Sequence, residues 1–472
     1  FDDHPDIYDF IDAKVEEGRL PYFNISVCVS DKLMEVSEGG EFSLVSRSDG
    51  RVVKRVNGAD LWNKLCESAW KRGDPGIFFI DRANDDNLLK MDETWKIEST
   101  NPCVTGDTWA LTDEGPRQVR ELVGKPGRLM INGEGYETAG FFSTGVKPVF
   151  ELKTREGRSL KLTGDHRVRR ISKMTRYTEE FEWVEARSLR PGDMLALHDH
   201  GNFLGWQGSF TKEEGYLAGL LMGDGVLKDD KAVLSVWAGA AASGGETVMA
   251  KVLSCAMGLP RRSDFAGWSK VAGRDEYRLA LASIRDLALS LGMAPGEKGI
   301  TPVLEGTTSS AFYRGFLKGL FDSDGSVQGT TAKGVSVRLA RSNLDTLGAV
   351  QRMLARLGIQ STIYENRREG SERPMPDGKG ALALYPCKEQ HELVISKGNM
   401  ARFAALVGFE DSLKKKALND ALGSYKRKFD RERFFDRFQS LTPLGEEEVF
   451  DASVPGVNAF DANGFYVHNC GE

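Results

Sequence analysis

Apolar and polar positions follow three rhythms along the chain. In residues 1–102, "YFNISVCVS" (22–30) and "GIFFID" (76–81) are continuous apolar runs with the length of buried strands. Between them, "GADLWNKLCESAWKRG" (58–73) sets Leu61, Leu65 and Trp70 near helical spacing. Asp60 is the expected N-cap there and Gly73 the stop. From Cys103 the pattern shortens to strands and turns, as in "TWALTDEG", "PVFELKTREGRSLKLTGDHRV" and "RSLRPGDML". Gly, Pro and Asp punctuate these pieces about every ten residues, the texture of an all-β domain. The same texture returns in "EEEVFDASVPGVNAFDANGFYVH" (446–468), while 211–435 alternates longer helices with strands. The pattern therefore predicts an α/β domain inserted into a β domain, both following a separate α/β segment. The expected divisions are 1–102, 103–200, 201–435, 436–469 and 470–472.

The inserted region repeats itself. "GYLAGLLMGDGVL" (215–227) and "RGFLKGLFDSDGSV" (314–327) share Leu-x-Gly-Leu-x-x-x-Asp-Gly. Gly219 and Gly223 in one copy, and Gly319 and Ser323 in the other, lie four residues apart on one helix face. Small residues there let two backbones approach closely. Packing through that face gives a pseudo-twofold domain and brings Asp224 and Asp324 together. Two adjacent carboxylates repel unless they share a cation. All-oxygen ligation points to Mg²⁺, and metal there suits phosphodiester hydrolysis.

Composition adds bounds. The 472 residues are 40% apolar, enough for several cores. No stretch has the length and freedom from charge of a membrane span. The start "FDDHPDIYDF" is not a signal peptide, and a first residue of Phe1 reads as a fragment of something longer. The six cysteines show no CxxC pair, which argues against zinc knuckles and disulfide frameworks and suggests a reducing, cytoplasmic setting. Net charge is −6, unevenly spread: 1–102 holds 13 Lys+Arg against 21 Asp+Glu, whereas 201–435 holds 33 against 26. A basic middle suits a polyanionic partner.

The chain finishes "FYVHNCGE", with His468, Asn469 and Cys470 adjacent. An Asn amide nitrogen can attack its own main-chain carbonyl and cut the chain, given a positioned acid such as His468. Cys470, directly after that bond, can accept an acyl group. Cys103, in "NPCVTGDT", can take one from Pro102 as a thioester. Thr163 and His166 in "LTGDHRV" can bond the main chain around the Cys103 amide, and Asp451 in "VFDASVPG" can tune the thiol.

These motifs carry three resemblances. The repeated helices resemble the LAGLIDADG homing endonucleases over about 211–410. The resemblance implies double-stranded DNA as partner, Asp224 and Asp324 as metal ligands, and Lys298 of "EKGITP" in support of catalysis. Basic and aromatic stretches ("RRSDFAGWSK", "YENRREGSERP", "SYKRKFDRERF") would contact phosphates and read bases. "CVTGDT", "TGDH", "RSLRPGDML", "VFDASVPG" and "ANGFYVHNC" resemble, in order, the blocks of inteins, self-splicing insertions of the Hint fold. This implies excision of 103–469 through Cys103, Cys470 and Asn469, without a cofactor. Two departures stand out. Asn458 occupies a place where many relatives carry His, leaving proton assistance to His468 and water. Pro102 restricts the backbone before the first scissile bond. Deleting 103–469 leaves "ESTNPCGE", and with 1–102 this is similar to the large subunit of ribonucleotide reductase, nearest the adenosylcobalamin-dependent class. There Asn101, Cys470 and Glu472 would meet the ribonucleotide substrate, Cys470 as the radical-bearing thiol. The competing reading is a DNA-binding protein with a splicing-inactive β scaffold or a cleavage-inactive endonuclease domain.

Overall fold

The computed structural model describes residues 1–14, 25–46, 50–73, 75–85, 103–239, 244–330, 334–376, 382–423 and 433–469. The chain divides into two compact units, Phe1–Pro102 with Cys470–Glu472, and Cys103–Asn469.

In the first unit, strands Ser26–Val29 and Gly76–Phe79 pair in parallel. The helix Gly58–Arg72 falls between them in sequence. Leu61 and Leu65 of this helix join Ile7, Ile11, Val27 and Leu33 in one core. Three details differ from expectation. Asn57, not Asp60, is the N-cap, because its side chain accepts the Ala59 N–H. Asp60 instead lies in the first turn, where its charge favours the positive end of the helix. Trp70 is 85% exposed; five residues beyond Leu65 is about 140° round the helix. The Gly76–Phe79 strand is half-buried along its length rather than buried. Gly73 does end the helix, in the left-handed region at φ 76°.

The second unit is a β domain with an α/β insert. In a nine-stranded sheet the two-residue strand Val104–Thr105 lies between Ser159–Thr163 and the long strand Phe435–Ala452. Val104 faces Leu162 on one side and Phe450 on the other. Arg167–Met174 pairs with Phe465–His468, Val168 opposite Val467. A four-stranded sheet of Gly115–Gln118, Trp109–Thr112, Gly127–Ile131 and Glu134–Thr138 accompanies it. Val104, Phe141, Leu152, Leu162, Phe460 and Val467 are among its core residues.

The insert is built twice over. Helices Lys212–Asp224 and Ser310–Asp324 each run straight into an antiparallel four-stranded sheet. Thr211 and Glu214 cap the first helix reciprocally, and Ser309 caps the second by accepting the Phe312 N–H. The helices pack backbone to backbone: a β-carbon on Gly219 would strike the Phe316 carbonyl, and one on Gly319 the Tyr216 carbonyl. No described helix is long and apolar enough to cross a membrane.

Candidate active sites

Cys103 immediately precedes the strand Val104–Thr105 and is fully buried. Strand pairing fixes its neighbours. Its N–H donates to Thr163 Oγ1 at 3.2 Å, and its carbonyl accepts the Thr163 N–H at 3.0 Å. Burial pushes the thiol up to about 12; the nearby Lys147 ammonium and a contact with Thr144 pull against that rise, while the charges of Asp451 and Asp165 add to it. Thr144 Oγ1 lies 2.8 Å from the sulfur and Lys147 Nζ 3.5 Å. Asp451 is fully buried, and its Oδ1 accepts the Ala452 N–H at 2.7 Å. As a carboxylate it opposes thiolate formation, so its tuning runs opposite to activation.

The turn from Thr163 to Arg167 serves both junctions. His166 is completely buried, and burial holds its imidazole down at about 4, so it is neutral near pH 7. Its ring faces the main chain of both Cys103 and His468, without a well-aligned hydrogen bond to either. Strand Phe465–His468 pairs with Ala459–Ala462, setting Ala459 opposite His468. Asn469 then donates its N–H to the Asn458 carbonyl at 3.3 Å. The Asn469 carboxamide is fully buried and neither of its polar atoms has a hydrogen-bond partner among the described residues. A buried amide left unsatisfied is costly, which fits a group held for reaction rather than for stability. Trp183 packs edge-on to His468, ring centroids 5.0 Å apart. Thr144, Lys147 and Trp183 belong to no motif in the sequence. Only the strand pairing identifies them. Asn101, Pro102, Cys470 and Glu472 lie outside the described residues.

The repeated helices end at Asp224 and Asp324, both half-buried. Burial raises the pKa of each carboxyl, and the Asp324 charge raises Asp224 further. Lys298, Arg341 and Lys414 surround the pair and draw both back down. Lys298 donates to the Leu221 carbonyl at 3.0 Å and to that of Gly225, at the end of the first helix. Lys414 donates to the Phe321 and Ser323 carbonyls at 3.2 and 3.3 Å, at the end of the second. Cations at helix C-termini are favoured by the helix dipole. Lys298 was legible in the sequence, whereas Lys414 was missed. Arg341 pairs with Asp324 Oδ2 at 2.8 Å. The Asp224 carboxylate has no hydrogen bond or ion pair among the described residues. No group of three or more His, Cys, Asp or Glu fit to hold a metal occurs among them. Two coupled carboxylates, one with its oxygens free, nonetheless suit an oxygen-ligated divalent cation.

Of the stretches expected to meet DNA, Tyr364–Arg368 is exposed on a strand edge of the second sheet. Trp268 is instead anchored, its Nε1 donating to the Met249 carbonyl at 3.0 Å. Residues 424–432 of "SYKRKFDRERF" lie outside the described residues.

Residues 2–105 match the family described as "Ribonucleotide reductase, barrel domain", and residues 311–408 match the "LAGLIDADG-like domain". The chain is 23% identical over 537 residues to the ribonucleoside-diphosphate reductase NrdEB subunit alpha of Bacillus subtilis, covering 99% of this chain and 48% of that protein. It is 41% identical over 102 residues to the vitamin B12-dependent ribonucleoside-diphosphate reductase of Mycobacterium tuberculosis, covering 21% of this chain and 14% of that one. The chain thus spans about half the length of the first relative or less. Among solved structures, a DnaB intein from Synechocystis sp. PCC 6803 aligns with 78% of this chain and 98% of its own, at 12% identity and TM-score 0.25.

Proposed function

We propose that the chain is a ribonucleotide reductase barrel segment interrupted by an intein that carries a LAGLIDADG-like domain, and that residues 103–469 excise themselves and join Pro102 to Cys470. The observation that carries this reading is the shared turn: Thr163 bonds the Cys103 amide, and His166 faces both Cys103 and His468.

In this reading the Cys103 sulfur attacks the Pro102 carbonyl carbon. The C–N bond to Cys103 breaks, and the thiol proton ends on the departing nitrogen. Thr163 holds that N–H, while neutral His166 stands beside it to pass a proton. Cys470 then takes the acyl group from Cys103, releasing the Cys103 thiol. The Asn469 amide nitrogen attacks its own carbonyl and the C–N bond to Cys470 breaks, His468 assisting the departing nitrogen; the acyl group then shifts from the Cys470 sulfur to that nitrogen, releasing the Cys470 thiol. The product restores Asn-Pro-Cys-Gly-Glu, with Asn101, Cys470 and Glu472 in the reductase active site. Free thiols at Cys103 and Cys470 require a reducing compartment, so we take it to be the cytoplasm.

Asp224 and Asp324 would hold Mg²⁺, which supplies charge stabilisation for cutting a phosphodiester. Lys298 and Lys414, one at each helix end, would neutralise the phosphates on either strand of double-stranded DNA. The mycobacterial relative is vitamin B12-dependent, which supports adenosylcobalamin for the whole host reductase acting on ribonucleotides. The match spans only 14% of that relative, so the cofactor is proposed for the complete enzyme rather than for this segment.

Mass spectrometry of freshly made chain, under reducing conditions, tests the splicing. The expected products are a 103–469 piece and a ligated remainder, and both vanish in Cys103→Ala/Asn469→Ala. A wild-type chain that stays intact overturns the reading. For the nuclease, Asp224→Asn should abolish Mg²⁺-dependent cutting of a plasmid bearing the joined-gene site, and undiminished cutting would refute the metal assignment.

A further inference from the structure

Cys103 presents a difficulty for the first step. Its thiol is fully buried, two carboxylates oppose its ionisation, and the sulfur must nevertheless become a nucleophile. We propose that Lys147 is a catalytic residue of that first acyl transfer, its ammonium holding the charge that develops on the Cys103 sulfur, with Thr144 orienting the thiol. The inference rests on the splicing reading above and adds a residue to it.

The geometry is specific. Lys147 Nζ is 3.5 Å from Sγ and Thr144 Oγ1 is 2.8 Å from it. Thr144 also donates to the Val449 carbonyl at 3.2 Å, which fixes the hydroxyl. Thr144 and Lys147 are three residues apart on strand Phe141–Thr154, so a regular strand would turn them to opposite faces. They share a face because the ladder with Phe435–Ala452 slips register between Ser143 and Val146, where Gly145 takes φ 93°. A bulge that re-aims side chains beside a reactive group is a recurrent use of this irregularity. Val149 and Val449 pack around Cys103 and keep the contact in a low-dielectric setting, where a single cation acts strongly.

The other charged groups facing this site are Asp451 on Phe435–Ala452 and Asp165 in the turn after Ser159–Thr163. Glu447 stands opposite Lys147 in the ladder, and neutral His166 lies across the Cys103 main chain. Among the described residues acting on the sulfur, Lys147 supplies the positive charge. In the step itself Lys147 gains and loses nothing. The S–C bond to Pro102 forms, the C–N bond breaks, and the thiol proton ends on the Cys103 nitrogen.

The test uses the full chain with Asn469→Ala and Cys470→Ala, which stops the later steps and leaves the thioester open to cleavage after Pro102 by added dithiothreitol. The thiolate fraction at fixed pH falls about tenfold for each unit of thiol pKa. Lys147→Met is therefore expected to slow cleavage about tenfold or more near pH 7, with the loss shrinking as pH rises. Lys147→Arg should retain most of the rate. The ionisation midpoint of Cys103, read from the ¹³Cβ shift of labelled cysteine, should move up in Lys147→Met and in Lys147→Gln. Unchanged pH profiles and midpoints in both variants would overturn the proposal. If the parent background itself yields no thiol-induced cleavage, the splicing reading fails instead, and the two failures are distinguishable.

Discussion

At the scale of single residues, a buried imidazole shapes how the Cys103–Asn469 unit responds to acid. His198 stacks on Tyr466 with ring centroids 3.5 Å apart and lies beside His200, whose Nε2 meets Asp461 Oδ2 at 2.6 Å. Its Nδ1 accepts the Asn132 N–H at 3.2 Å, which requires the neutral ring. Burial drives its pKa down to about 3. The unfolded chain therefore binds a proton at His198 below about pH 6.5 that the folded chain refuses. Stability from this group is complete above pH 6.5 and is lost as pH falls towards 3, by about 1.4 kcal/mol per pH unit at most. Several aspartates, Asp322 among them with a carboxyl raised to about 6 by burial, act in the opposite sense, so a difference measurement is needed. In an uncleavable Cys103→Ala/Asn469→Ala background, His198→Gln should gain on its parent as pH drops from 7 to 5. Urea titrations at each pH would read this, and parallel curves would contradict it. Nothing in "ALHDHGN" marks these histidines, since their partners Asp461 and Tyr466 arrive from the far side of the insert.

At the scale of elements, the paired helices show how context sets the sign of one substitution. Gly219 sits where a β-carbon would strike the Phe316 carbonyl, a backbone atom that cannot rotate away. Gly348 lies in helix Leu344–Arg356, where a β-carbon meets only the Arg352 guanidinium at 3.9 Å. Gly219→Ala should therefore destabilise by about 1–3 kcal/mol through overpacking. Gly348→Ala should stabilise by about 0.5–1 kcal/mol by restricting the unfolded chain. Chemical denaturation of the two variants should move in opposite directions, and a common sign would count against the close helix contact. The stripe of small residues was readable because a repeat displayed it twice, although Gly215 and Gly315 continue it one step further than the motif suggested. Lys414 was not readable, for a physical reason. Lys298 follows Leu221 by 77 residues and Lys414 follows Phe321 by 93, so the symmetry exists in space but not in spacing. Asp60 and Trp70 were misassigned for a simpler cause: Asn57 supplied a better-placed acceptor, and five residues is the wrong interval for one helix face.

At the scale of the whole Cys103–Asn469 unit, a buried polar knot joins the insert to the two lengths of β domain on either side of it. Arg158 Nη1 meets both oxygens of Asp436 at 2.8 Å, and Arg158 Nη2 donates to Gln360 Oε1 at 2.5 Å. Arg158 comes from the β region before the insert, Gln360 from the insert, and Asp436 from the strand that returns after it and carries Asp451. A second knot lies close by: Arg352 and Arg356 both clasp the buried Glu305, and Arg356 lies over the Trp109 ring at 5.3 Å. Insert and β domain are thereby fixed to each other by charges whose burial is expensive on its own. Burial keeps the Asp436 carboxyl above its ordinary range even with Arg158 against it. Such a pair adds little net stability over apolar side chains of equal volume, yet removing one partner strands the other. Asp436→Ala should therefore cost about 3–5 kcal/mol and depress splicing, because the displaced strand also carries Phe450, the ladder partner of Val104, and the Val449 carbonyl that anchors Thr144 beside Cys103. Arg158→Met together with Asp436→Leu should recover most of the stability. Recovered stability with splicing still slow would mean that the ion pair sets strand position as well as holding it. A single variant that unfolds at the parent's urea midpoint would show that the knot holds nothing together.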